Sequence, residues 1–218
     1  DPMGPLVWNA RTSLPGYALA DTMSFADGKL LLTLGMRHQR VKSDSVTGYP
    51  LIGVVPTHYD QSVNSPMVAV VFKPTDQISV YANHMQGLSM GDTAPYGTTN
   101  QGQVFAPYRT RQTEAGVKLD LGRFGGSVSV FQITKPYASI DPTTLTYGVF
   151  GEQRHRGLEL NVFGEMTKGV RLLGGATFIN ATAHDSASPT AQNTRPVGVA
   201  RRQIALQGEW DLPAVQGL

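Results

Sequence analysis

Residues 87–91 read Gly87-Leu88-Ser89-Met90-Gly91, the G-x-S-x-G spacing of a hydrolase nucleophile elbow, in which a strained turn presents a serine and helix amides meet its oxyanion. That chemistry needs a strand before the turn and a helix after it. The exit, Asp92-Thr93-Ala94-Pro95-Tyr96-Gly97, places a proline and a glycine where the helix should run. Ser89 therefore reads as part of a glycine-rich loop. A general base for it would have to come from a His–Asp pair, and His58 with Asp60 and His184 with Asp185 are the only close neighbours in the chain. Neither His38, His58, His84, His155 nor His184 stands in a metal-ligand spacing, so no metal site and no cofactor is expected.

The elements that position these residues repeat along the chain. About ten residues of alternating character, a very short turn, a second such run and then a long polar stretch recur, with runs at 17–25, 30–42, 67–73, 77–86, 110–121, 126–137, 155–166, 170–182 and 200–211. The short turns carry Asp27-Gly28, Pro74-Thr75-Asp76, Gly122 and Lys168-Gly169, because glycine reaches positive φ without steric cost. At the other end, loops are expected over approximately 43–66, 87–109, 138–154 and 183–199. Short turns on one side and long loops on the other, joined by ten-residue strands, mark a transmembrane β-barrel. A soluble sandwich has shorter strands and no such asymmetry.

Alternation assigns the faces. Leu158, Leu160 and Val162 share one face while Glu159, Asn161 and Glu165 share the other; Ala115, Val117 and Leu119 oppose Gln112, Glu114, Lys118 and Asp120; Ile204, Leu206 and Trp210 oppose Gln203, Gln207 and Glu209. Charges of both signs on the second face rule out a dry packed interior, so the apolar face is read toward lipid and the polar one toward a wet lumen. Val128 and Val130 fall opposite Phe131 and Ile133, which requires either a slip of phase at a bulge or a wall that is partly apolar on both sides.

Composition agrees. The 24 glycines and 14 prolines, with only 16% charged residues, suit an all-β chain with many turns. Without cysteine there is neither a disulfide framework nor a thiolate site. The net charge of +2 is dispersed, so no nucleic-acid partner is expected. No run of 18 apolar residues exists for a transmembrane helix.

The segment Ile78-Ser79-Val80-Tyr81-Ala82-Asn83 through Gly87-Leu88, Gly91, Thr93-Ala94-Pro95, Asn100-Gln101-Gly102, Pro107 and Arg111-Gln112-Thr113-Glu114-Ala115-Gly116-Val117-Lys118 resembles the barrel of the TonB-dependent outer-membrane siderophore receptors. Phe131-Gln132-Ile133 with Lys135-Pro136, Arg156-Gly157-Leu158-Glu159-Leu160, and Asp21-Thr22 with 30–37 are similar to the same family. The resemblance implies an antiparallel transmembrane β-barrel segment of about nine to ten strands out of about 22. It places the chain in the bacterial outer membrane, taking residues 1–218 as part of the barrel domain with the plug domain and its TonB-contacting region absent. It also implies uptake of a ferric siderophore, energised through TonB, with outer-membrane lipid outside the wall and no catalysis.

Loop residues able to stack on or pair with an anionic iron chelate are His58, Tyr59, Tyr96, Phe105, Tyr108, Tyr147 and Arg154, since arginine offers a planar fork and tyrosine a rigid amphipathic face. Packing of the loops, or an interfacial aromatic belt, would use the same residues. Gln112, Glu114 and Lys118 are assigned to the lumen wall. Two other readings make different demands: a small barrel enzyme needs a histidine–acid pair at the loop end, and a soluble all-β module needs a second sheet packed on the apolar faces.

Overall fold

The computed structural model describes residues 10–49, 53–187 and 193–211. Ten strands form one antiparallel sheet: β1 (Ala10–Ser13), β2 (Gly16–Phe25), β3 (Leu30–Tyr49), β4 (Gly53–Phe72), β5 (Ile78–Ser89), β6 (Tyr108–Asp120), β7 (Phe124–Ile140), β8 (Tyr147–Thr167), β9 (Val170–Asp185) and β10 (Arg202–Trp210). From β3 onward each strand pairs with the next in sequence, and β1 and β2 both pair with β3. Ala10↔Ser45 and Phe25↔Leu30 belong to one unbroken register, so β1 and β2 are a single strand interrupted at Leu14-Pro15, where proline has no N–H to give the ladder. The sheet is an open meander, with β2 and β10 at its edges.

Every strand expected from the alternation is present, and the turns sit where expected. In the β2–β3 turn the Lys29 N–H donates to the Ala26 carbonyl, with Asp27 and Gly28 both at positive φ, the type I′ geometry that matches strand twist. The upper ends differ from the sequence reading. Much of 43–66 and 138–154 is strand, and β9 runs on to Asp185: β3 and β4 stay in register from Leu30↔Phe72 to Tyr49↔Gly53, forming a hairpin arm twice the length a crossing needs. These segments are polar and carry prolines, which concealed their strand character, yet the pairing below extends through them. The segment 90–107 remains a long irregular loop, as expected, and the described residues between β9 and β10 also lie outside the strands. Pairing of β4 with β5 stops at Met67↔Met85, although β5 pairs with β6 up to Ser89↔Tyr108. The arm therefore parts from the wall along a seam where the side-chain oxygens of Ser65, Gln86 and Ser89 are buried without a protein partner.

Register settles the faces. Leu32, Val70, Ala82, Ala115, Val130, Leu158, Phe178 and Leu206 lie on one side of the sheet, and the large apolar side chains there remain open: Val130 is 57% exposed, Leu206 72% and Ile204 75%. Among the described residues no second sheet covers them, whereas the soluble-module reading requires one. On the same side, at the short-turn end, stand Phe25, Phe72, Phe124 and Trp210, an interfacial aromatic girdle.

The opposite side is polar and self-bonded. The Tyr81 hydroxyl donates to Glu114, Gln112 donates to the other Glu114 oxygen at 3.1 Å, the Lys118 ammonium stands 5.0 Å over the Tyr81 ring, and Asn161 donates to Glu159 at 2.9 Å. Gln112, Glu114 and Lys118 thus serve the wall, as assigned. Phe131 and Ile133 share this side, so the second of the two alternatives for Val128 and Val130 holds: the wall is partly apolar on both faces, with no slip of phase between Phe124 and Tyr137.

Three lumen-side aromatics lie across glycines of the neighbouring strand, Tyr81 opposite Gly116, Phe131 opposite Gly157 and Phe163 opposite Gly125. A Cβ on Gly157 would stand 2.4 Å from the Phe131 ring. The rings cover backbone that a glycine leaves bare and hold the register of strands otherwise poor in packing.

Candidate functional site

The upper end of the sheet gathers part of the expected set around a residue the sequence did not single out. Loop 90–107 folds as an irregular hairpin, with the Ala94 N–H bonded to the Gln103 carbonyl at 2.8 Å and the Phe105 N–H to the Asp92 carbonyl at 3.0 Å. Gly91 lets this hairpin close, because a Cβ there would lie 2.3 Å from the carbonyl oxygens of Phe105 and Ala106. At its base the Asp92 carboxylate accepts two phenol hydrogen bonds on one oxygen, from Tyr108 at 3.1 Å and from Tyr147 at 2.8 Å.

Tyr59, buried on the inner face of the β3–β4 arm beside Val41 and Val63, accepts a hydrogen bond from the Gly91 N–H at 3.1 Å. Phe105 meets the Tyr147 ring edge-on at 5.6 Å. Tyr59, Phe105, Tyr108 and Tyr147 are therefore one cluster, drawn from β4, β6, β8 and the loop.

The same loop is clasped to the β7–β8 tip. Asn100 bonds both main-chain groups of Tyr147, accepting from its N–H at 2.9 Å and donating to its carbonyl at 2.8 Å, and the Thr99 N–H bonds the Leu145 carbonyl at 2.9 Å. A bulge between Tyr137 and Ser139 shifts the β7–β8 register by one residue and re-aims the top of β8 toward this contact. Burial pushes the Tyr108 hydroxyl up to about 12 and raises Tyr147 and Tyr59 as well. The cluster thus presents protonated phenols, able to donate hydrogen bonds but poor as anionic metal ligands.

The other three expected residues lie apart. His58 faces the outer side of the arm, its Nδ1 2.6 Å from Asp44. Arg154 is also on the outer side and donates to Glu152 at 3.0 Å, in a polar groove of about 440 Å³ shared with Thr182, His184 and Asn193. Tyr96, at the tip of the loop, is 56% exposed.

Asp92 and Asn100 were the residues missed; one acidic side chain between two glycines in a loop followed by Tyr108 was the available signal. Ser89 ends β5 with no helix after it, as expected. Asp60 is taken by Arg40 at 2.6 Å, and His184 and Asp185 point to opposite faces, so neither His–Asp pair assembles. Among the described residues no group of three or more histidine or acidic side chains could hold a metal.

Residues 1–217 match the family model for the TonB dependent receptor-like β-barrel. The chain belongs to that family. This TonB-dependent receptor barrel chain is 39% identical over 209 residues to the ferrichrome receptor FcuA of Yersinia enterocolitica, an alignment covering 93% of the chain and 27% of FcuA. It superposes on the crystal structure of BauA, the ferric preacinetobactin receptor of Acinetobacter baumannii, with a TM-score of 0.80 and 40% identity over 95% of the chain and 31% of BauA. The ferripyoverdine receptor of Pseudomonas aeruginosa, bound to ferripyoverdine, shares the fold at a TM-score of 0.70 and 18% identity, over 93% of the chain and 26% of that receptor. The TonB-dependent receptor chain therefore spans 27% of FcuA and 31% of BauA. As a member of this family it is a protein of the Gram-negative outer membrane.

Proposed function

We propose that this chain supplies barrel wall and outer loops to a receptor that binds a ferric siderophore at the cell surface and admits it with energy delivered through TonB, without catalysing a reaction. One observation carries the reading: the sheet exposes an apolar face with an aromatic girdle and backs it with a hydrogen-bonded polar face, a wall between hydrocarbon and water. The relatives named as receptors for ferrichrome and for ferric preacinetobactin support the ligand class.

In this reading the loop 90–107, the β7–β8 tip and the β3–β4 arm form part of the rim around the ligand. Tyr96 is exposed at the tip of the loop, and the cluster of Tyr59, Tyr108 and Tyr147 sets where that loop stands. His58 and Arg154, on the outer side, contribute only if the rim folds inward over the ligand. The test is replacement of His58, Tyr59, Tyr96, Phe105, Tyr108, Tyr147 and Arg154 by alanine in the full-length receptor, with binding of ferrichrome and of ferric preacinetobactin followed by intrinsic fluorescence. Affinity for at least one chelate falls roughly tenfold or more; affinity unchanged for a chelate that the unmodified receptor binds removes these residues from the site. Binding of neither chelate by the unmodified receptor, with uptake of another iron complex, would keep the class and change the ligand.

A further inference from the structure

A proline inside a strand matters through the direction in which its missing N–H would point. In an antiparallel ladder each residue gives its N–H and C=O to one neighbouring strand, and successive residues alternate between the two neighbours. The bonds at the short turns fix that alternation. The Lys73 N–H donates to the Lys29 carbonyl at 2.7 Å, so the odd-numbered residues of β4 face β3 and the even-numbered ones face β5. The Leu121 N–H donates to the Phe124 carbonyl and the Glu165 N–H to the Arg123 carbonyl, both at 2.8 Å, so the even-numbered residues of β7 face β6 and the odd-numbered ones face β8.

Pro66 on β4 and Pro136 on β7 therefore turn their nitrogens toward β5 and β6, and each stands where pairing with that strand ends. The last β4–β5 pair is Met67↔Met85, and the next hydrogen-bonded rung would join residue 66 to Gln86. The last β6–β7 pair is Arg111↔Thr134, and the next hydrogen-bonded rung would join residue 136 to Arg109. In neither place does the strand run out: β4 reaches back to Gly53, β5 goes on to Ser89, β6 begins at Tyr108 and β7 continues to Ile140. On their other sides the ladders pass both prolines without a break, as Met36↔Pro66 with β3 and Pro136↔Glu152 with β8, because those ladders use neither nitrogen.

The top of the β5–β6 hairpin, with loop 90–107, thus stands between two gaps, and the gaps differ. Across the β7 gap the loop is fastened several times over, by Asn100 to both main-chain groups of Tyr147, by the Thr99 N–H to the Leu145 carbonyl and by Asp92 to the Tyr147 hydroxyl. Across the β4 gap the described residues show the bond from the Gly91 N–H to the Tyr59 hydroxyl at 3.1 Å. Beside that bond Ser65, only 5% exposed, buries its hydroxyl oxygen without a partner, as do Gln86 its amide oxygen and Ser89 its hydroxyl oxygen. Buried polar atoms left in this way favour any rearrangement that lets water reach them.

We propose that Pro66 and Pro136 are zipper stops written into the sequence, and that the gap at Pro66 is a line of parting. Along it loop 90–107 and the β7–β8 tip move as one body away from the β3–β4 arm, breaking the Tyr59–Gly91 bond and admitting water to Ser65, Gln86 and Ser89. Pro136 keeps the β6–β7 ladder from climbing into the loop, so the loop is joined to the tip through side chains and single main-chain bonds and stays irregular. Pro56 supplies an internal comparison: it lies on the same β5-facing edge of β4, but β5 has ended below it, so it has no rung to block.

The test uses the full-length receptor in detergent micelles. Pro66→Val restores the missing donor opposite Gln86, and amide exchange at Gln86 and Leu88 slows about tenfold or more, while Pro56→Val leaves both rates unchanged. Nitroxide labels on Ser62→Cys in the arm and Gln101→Cys in the loop report two separations in the parent protein by double electron–electron resonance, and Pro66→Val depletes the longer one. Pro66→Ala carries the same restored N–H and is read by the same exchange measurement if valine prevents folding, which heat-dependent gel mobility checks. Unchanged exchange in a folded Pro66 variant overturns the proposal, as does a single label separation in the parent. Equal slowing by Pro56→Val and Pro66→Val also overturns it, since any proline removed from that edge would then act alike. Neither readout involves a siderophore, so failure here is separate from failure of the receptor reading.

Discussion

At the residue scale, Asp92 is where three structural elements meet. A carboxylate accepting two phenol hydrogen bonds contributes on the order of 1.5–3 kcal/mol per bond to holding the loop. Asp92→Asn leaves a poorer acceptor between Tyr108 and Tyr147, and amide exchange across 90–107 is expected to accelerate at least tenfold while exchange in β5–β9 is unchanged. Uniform acceleration would place Asp92's role in the whole barrel instead.

The raised Tyr108 pKa gives a pH dependence with a definite sign. The folded value, about 12, lies above the ordinary value near 10, so the cluster is intact below about pH 10 and is lost as pH rises toward 12. Tyrosinate absorbance should show a late-titrating component that shrinks by one phenol in Tyr108→Phe, Tyr147 and Tyr59 keeping the remainder; an undiminished component would assign the shift to other rings.

At the element scale, the pairing of aromatics with glycines across β5–β8 makes the glycines structural. Gly157→Val drives a side chain into the Phe131 ring, and overpacking of this kind costs about 1–3 kcal/mol. Unfolding from lipid vesicles by guanidinium should shift accordingly, whereas Gly208→Val, with open space at its Cβ position, should leave the midpoint in place.

The strands and turns were legible because the period-two pattern and glycine-bearing turns are local signals. Ser89 could be set aside for a similar reason, since Pro95 and Gly97 forbid the required helix. What stayed hidden depended on partners far along the chain. The upper halves of β3 and β4 carry mostly polar residues with no sustained alternation and were read as loop, because nothing local says that Lys42 will meet Asp60. Asp92 was not singled out, because Tyr147, 55 residues away, gives it its role. The outward direction of His58 and Arg154 also follows from register, which a list of loop aromatics and cations does not contain.

For the whole molecule, the separation of faces decides where the chain can reside. Leu160, midway along β8 on the hydrocarbon side, and Asn161, its neighbour on the lumen side, provide the contrast. An arginine at Leu160 is expected to reduce folding stability in bilayers by about 2–4 kcal/mol, and one at Asn161 to have little effect. Guanidinium unfolding in vesicles measures both, and equal costs at the two positions would undo the assignment of faces.

The early parting of β4 from β5 has a mechanical meaning for such a wall. Below Met67 the barrel staves are nailed together pair by pair; above it the long β3–β4 hairpin is fastened to its neighbour mainly through Tyr59 and Gly91. Cutting that one tether, as in Tyr59→Phe, frees a flap some fifty ångströms of chain in contour per strand to swing at the rim while the fence beneath it stays shut, so a guest could be gripped or let go outside without opening a leak across the membrane.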